Sequence, residues 1–127
     1  QAQLLKEVLL FVRAHQNEHL TTEDLAIQFH VSPKQLRYSA KSVYGKPLYQ
    51  CIRAYKMHLA AVQLLSSART VMDIANEFGY DNSSKFSSAF QSVLGQTPTE
   101  YREAGMPTDE FPPYFTMKKG QTGAKNG

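Results

Sequence analysis

The feature that most limits how this chain can fold is one long amphipathic stretch with a version of the same unit on either side of it. From Pro47 to Ser66 the sequence reads PLYQCIRAYKMHLAAVQLLS. Leu48, Ile52, Tyr55, Leu59, Val62 and Leu65 recur at three- and four-residue steps, with Gln50, Arg53, Lys56 and Gln63 between them. That is the period of a helix with one buried face. Pro47 suits its first turn, where a missing N–H costs nothing. The flanking segments agree in order: Ala26 matches Ala75, Leu36 matches Phe86, Gly45 matches Gly95 and Pro47 matches Pro98, a repeat of about 50 residues with one or two insertions.

Each copy reads as short helices with marked ends. Leu4, Leu5, Val8, Leu9 and Val12 predict a first helix from Leu4 to about Gln16. Thr21 and Asp24 then form a capping-box pair ahead of Leu25, Ala26 and Phe29. His30 and Val31 make a bend, Ser32 caps again with Gln35 three residues on, and Pro33 opens a helix that faces Leu36, Ala40 and Val43 inward and ends at Gly45. Two short helices joined by a tight turn describe a helix-turn-helix, the arrangement in which the start of the second helix enters a DNA major groove. After a polar break at residues 66–69 the pattern restarts. Thr70 caps with Asp73, and Val71, Ile74, Ala75 and Phe78 form an inner face. Gly79 takes a left-handed turn, and Asn82 or Ser83 begins a helix with Phe86, Phe90, Val93 and Leu94 inside. Thr97, Pro98 and Glu100 open one more short helix, with Tyr101 packing back. The long stretch, about 19 residues and roughly 28 Å as a helix, then acts as a spacer. It nearly matches the roughly 34 Å between successive major-groove openings on one face of B-DNA.

The resulting division is a first helix-turn-helix subdomain over 1–46, a linker helix over 47–66, a second subdomain over 67–104 and a Pro/Gly-rich, partly disordered tail over 105–127. Phe111, Tyr114 and Phe115 in the tail pack on the domain or await a contact partner.

Charge is distributed unevenly. The formal balance of the 127 residues is only +3, yet Leu25 to Met72 holds Lys34, Arg37, Lys41, Lys46, Arg53, Lys56 and Arg69 with no Asp or Glu. From Asp73 to Glu110, seven acids stand against Lys85 and Arg102. A basic first half fits either a polyanion partner or a solvated face. The apolar runs fall short of the roughly 20 residues of a membrane span, and QAQLLKEVLL has no basic leader or small-residue cleavage site, so neither membrane nor secretion is expected. Beginning at Gln1 leaves a larger parent protein open. Cys51 is the single cysteine, excluding an intramolecular disulfide, and its place on the spacer helix makes it a packed small hydrophobe. His15 and His19 have the spacing of a metal pair but no evident third ligand, so surface histidines are the better account, and the four histidines are expected near helix ends or on the surface. With no Ser/His/acid trio, paired carboxylates or phosphate-cradling Gly loop, neither an enzyme nor a cofactor is expected.

At Asp73-Ile74-Ala75, Phe78-Gly79-Tyr80, Phe86, Ala89-Phe90, Gly95, Thr97-Pro98 and Tyr101-Arg102 the sequence resembles the DNA-binding domain of AraC/XylS-family transcription regulators. The resemblance runs from about Leu4 to Arg102. It implies an all-α domain of seven helices, with two helix-turn-helix subdomains joined by a long central helix. It also implies bacterial transcription control in the cytoplasm, double-stranded DNA as partner, contact with RNA polymerase in many members, and an N-terminal effector or dimerisation domain in the parent protein.

Carried over by position, the resemblance sets a first reading helix on Ser32 to Val43, with Lys34, Arg37 and Tyr38 reaching bases, and a second on Ser83 to Leu94, with Ser83, Ser84 and Ser88 reaching in. Lys41, Lys46 and Lys85 would hold phosphates. Lys34 and Arg37 can donate to guanine O6 and N7, and Tyr38 can touch a thymine methyl or a phosphate. Several positions depart from the family pattern: Ser88 stands where Arg is common, Gln91 where Lys is, Tyr38 where Arg is and Ala40 where Phe is. Serine cannot make the bidentate guanine contact. The first unit and spacer are therefore expected to supply most of the electrostatic affinity, with the second unit reading shape or reading weakly. A helical protein-interaction module, with only the first unit on DNA, is the alternative.

Overall fold

The computed structural model describes residues 2–105, and among them it forms seven α-helices and no strands. They are α1 (Ala2–Ala14), α2 (Thr22–Phe29), α3 (Pro33–Tyr44), α4 (Leu48–Ser66), α5 (Val71–Glu77), α6 (Ser83–Leu94) and α7 (Pro98–Ala104). The tail aromatics Phe111, Tyr114 and Phe115 lie outside the described residues.

The helix starts are chemically determined. Thr21 and Thr97 each accept from the backbone N–H three residues on while Asp24 and Glu100 accept in return from the cap residue's own N–H. Ser32, Thr70 and Asn82 accept from the backbone N–H of Gln35, Asp73 and Lys85 at 3.0–3.1 Å. The ends are less uniform. Gly45 and Gly95 close α3 and α6 with positive φ, but α2 closes on His30 at φ 57°, a left-handed residue with a side chain.

The two copies superpose in sequence more simply than their residues suggest. α3 and α6 start 50 residues apart, as do Gly45 and Gly95, whereas the caps Thr21 and Thr70 are 49 apart. One extra residue therefore sits in the turn between α5 and α6. This register corrects the pairing of the two prolines: Pro47 is the cap residue before α4, matching Thr97, while Pro98 is the first residue of α7, matching Leu48.

The buried face of α4 also differs from the single stripe expected. The buried residues are Leu48, Cys51, Ala54, Tyr55, Met57, His58, Ala60, Ala61 and Leu64, while Ile52, Leu59 and Leu65 are half-buried and Val62 is 58% exposed. At about 100° per residue, Leu48 and Cys51 lie on one side of the helix and Met57, Ala60, Ala61 and Leu64 on the other. The reason is that two cores share the helix. Leu48 and Cys51 close a cluster with Leu5, Val8, Val12, Leu25 and Leu36, and the second set closes a cluster with Ile74, Phe78, Phe86 and Phe90. Val62 continues the first side beyond the point where α1–α3 end.

The second core is the more aromatic. Tyr80, Phe86, Phe90 and Tyr101 make successive ring contacts with centroids 5.4–5.9 Å apart. Small Ala60 and Ala61 on α4 leave room for those rings. Arg102 in α7 then donates from Nε to the Leu64 carbonyl at 2.9 Å and from Nη2 to the Ser67 carbonyl at 3.1 Å. Orphan carbonyls at the end of α4 are thereby satisfied.

Candidate nucleic-acid interface

Burying Leu36, Ser39 and Ala40 fixes the rotation of α3. Lys34, Arg37, Tyr38 and Lys41 consequently fall at i, i+3, i+4 and i+7 on the outward side, and all four are exposed, Tyr38 by 61%. α3 contains no Asp or Glu. In α6, burial of Phe86 and Phe90 turns Ser83, Ser84, Lys85 and Ser88 outward. Lys46, between α3 and α4, is exposed as well. All nine residues expected at the interface are thus accessible.

The 50-residue register pairs the two outward faces position by position: Lys34 with Ser84, Arg37 with Ser87, Tyr38 with Ser88, and Lys41 with Gln91. Ser87, the counterpart of Arg37, is half-buried, and Ser83, expected to reach bases, pairs with Pro33. A cationic face in one unit is a hydroxyl and amide face in the other. Lys85 pairs with Gln35, one step off the row.

A groove joins the units between these faces. Its first part, about 260 Å³, has Lys46, Gln50, Arg53 and Ser92 on its walls. The adjoining part, about 460 Å³, has Arg53, Tyr80, Ser84, Lys85 and Ser88. Arg53 and Ser92 line both. No carboxylate lies among the described residues that line them. Gln50 and Arg53 are interface candidates absent from the sequence expectation; the signal was available in the acid-free block, but only folding shows which of its cations face the groove.

Two cations of that block have structural partners instead. Lys56 donates from Nζ to the Glu18 carbonyl at 3.1 Å, and burial lowers the pKa of its ammonium. Arg69 forms an ion pair with Glu77. Cys51 is buried, and burial raises the pKa of its thiol, as suits a packed residue.

α1 ends at Ala14, so His15 and His19 do not share a helical face; the His15 ring stacks on Phe11 at 4.1 Å, with Nδ1 2.9 Å from the Phe11 carbonyl. Among the described residues no group of three or more His, Cys, Asp or Glu is placed to hold a metal ion. His58, instead of a surface position, is 3% exposed in the middle of α4, on the wall of the groove. Burial first, and the charge of Lys46 second, push its pKa down to about 4. No described helix is long and apolar enough to cross a membrane.

Residues 25–104 match the family model described as a helix-turn-helix domain. The chain is 30% identical over 104 residues to the right origin-binding protein of Escherichia coli strain K12, covering 82% of this chain and 36% of that protein. It spans about a third of that relative's length. It is 28% identical over 100 residues to the regulatory protein SoxS of Salmonella typhimurium, covering 79% and 94%. Among solved structures, the C-terminal domain of AraT, a response regulator from Geobacillus stearothermophilus, aligns with a TM-score of 0.72 and 28% identity over 85% of this chain and 90% of that one. The DNA-binding domain of AdpA, a global transcriptional factor solved in complex with a target DNA, aligns with a TM-score of 0.70 and 25% identity over 79% and 90%.

Proposed function

The chain belongs to the AraC/XylS family of helix-turn-helix DNA-binding domains of transcription regulators, and from that premise we propose that it lies along one face of duplex DNA with α3 and α6 in adjacent major grooves. The observation that carries this reading is the outward face of α3, where Lys34, Arg37, Tyr38 and Lys41 form one exposed row on a helix without a carboxylate. Lys34 and Arg37 donate to guanine edges, Tyr38 packs on a thymine methyl or meets a phosphate, and Lys41 holds the backbone. On α6, Ser83, Ser84 and Ser88 approach bases as neutral donors and acceptors, and Lys85 meets a phosphate.

The groove takes the stretch of backbone between the two reading heads. Lys46, Gln50 and Arg53 bind it from the α4 side. Residues 1–46 and 67–104 thus act as two reading units held by 47–66, and no catalytic step is part of the function. In the parent regulator, a further domain for effector binding or dimerisation would pair sites and raise affinity; RNA polymerase is the second partner, and the cytoplasm the compartment.

Selection of bound duplexes from a random library, followed by sequencing, tests the reading. The expected result is two enriched boxes about 10–10.5 base pairs apart. Arg37→Ala should erase a base preference in one box, a loss of about 1–3 kcal/mol of discrimination, while Ser88→Ala leaves the other box nearly as it was. A single box would confine readout to α3. Equal losses for the two variants would sink the asymmetry, and no enrichment with no duplex binding at low salt would sink the proposal.

A further inference from the structure

Outside α4, a side-chain contact also joins the two units. Gln16, just past α1, donates from its side-chain amide to one carboxylate oxygen of Glu77 at the end of α5. Arg69, between α4 and α5, donates to the other oxygen of the same carboxylate and reaches the Asp73 carbonyl at 3.4 Å. Beside them the α5–α6 turn comes close to the loop after α1: a methyl built on Gly79 would stand 3.1 Å from the Asn17 carbonyl oxygen. Glu77 therefore ties a residue of the first unit to a residue rooted at the far end of the connecting helix. With a separate hydrophobic core in each unit, this contact and α4 together define the angle between them.

We infer that Glu77, with Gln16 and Arg69, is a latch that sets the separation and relative rotation of α3 and α6, and so makes the domain selective for the spacing between its two DNA boxes. The inference rests on the proposal that both helices read adjacent grooves. Two domains hinged on a single helix tolerate boxes one base pair closer or farther by rotating about that helix; a second tie removes that freedom. Glu77 touches no part of the proposed DNA face, so it is a positioning residue. Its loss changes which spacing is accepted rather than which bases are read.

The test has a DNA-free arm and a DNA arm. Spin labels at Ser42→Cys and Ser92→Cys, in a Cys51→Ala background, report the distance between the ends of α3 and α6. The parent should give one narrow distribution, and Glu77→Ala and Gln16→Ala should each broaden it, with Gln16→Lys, which offers Glu77 a cation, keeping it narrow. In the DNA arm, duplexes with the selected boxes at the parent spacing and at one base pair more or less should differ at least tenfold in affinity for the parent and less than threefold for Glu77→Ala, with the base preference within each box unchanged. Equal distance distributions in parent and variants overturn the latch whatever the DNA results. If the distances respond but the parent has no preferred spacing, the adjacent-groove proposal falls and takes the spacing role with it.

Discussion

His58 is the residue whose chemistry departs furthest from its sequence appearance. In the unfolded chain its imidazole takes a proton near pH 6.5, while in the fold burial beside Lys46 pushes its pKa down to about 4. The unfolded state thus binds more protons between those values, so stability rises with pH from about 4 to 6.5 and is complete above 6.5. The linked loss on acidification is of the order of 3 kcal/mol at most. Thermal melts at pH 7 and pH 5 should show a fall in Tm that His58→Gln largely removes; a fall of the same size in the variant would mean that other groups carry it. The sequence placed every histidine near a helix end or on the surface because nothing local distinguishes a buried face of α4 from an exposed one. Arg37 and Lys34, in contrast, were singled out by the family resemblance, and burial of Leu36 and Ala40 turns both outward.

Caps and periods wrote most of the element scale. Thr21, Ser32, Thr70, Asn82 and Thr97 each satisfy an orphan N–H of the helix they precede, a local interaction that needs no tertiary partner. The α5–α6 turn is different, since its glycine answers to both backbone conformation and a neighbour. Gly79 has φ 89° and the Asn17 carbonyl at its back, while Gly95 has φ 81° and open space. Gly95→Ala should cost the left-handed penalty of about 1–2 kcal/mol, and Gly79→Ala should cost more, since the Asn17 carbonyl must also move aside. Denaturant unfolding of the two variants compares them directly. Equal costs would mean that the loop after α1 yields freely.

At the scale of the whole molecule the charge distribution acquires a direction. Of the seven cations in the acid-free block, Lys56 and Arg69 are engaged by the fold, which leaves Lys34, Arg37, Lys41, Lys46 and Arg53 exposed on α3, the α3–α4 junction and α4. α6 adds Lys85 alone. Binding should be steeply salt-dependent, each phosphate contact contributing about 0.9 to the slope of log K against log salt concentration. Arg53→Gln should lower that slope by about one unit without changing the selected boxes; an unchanged slope would remove Arg53 from the interface. The spacer expectation holds in its length, but α4 does more than separate the units. It buries opposite sides at its two ends and contributes Gln50 and Arg53 to the groove.

What the sequence determined by itself was everything governed by neighbours a few residues apart: the helices, their caps and the duplicated helix-turn-helix. The family resemblance rested on those same local signatures. Tertiary structure alone decided the matters that depend on which distant surface lies opposite. It put Met57 and Leu64 rather than Val62 against a core, buried His58, assigned Arg69 to Glu77 and Arg102 to the end of α4, and turned Arg53 into the groove. An amphipathic period names one buried stripe per helix, whereas a helix shared by two cores buries two, and only packing reveals where one stops and the other begins.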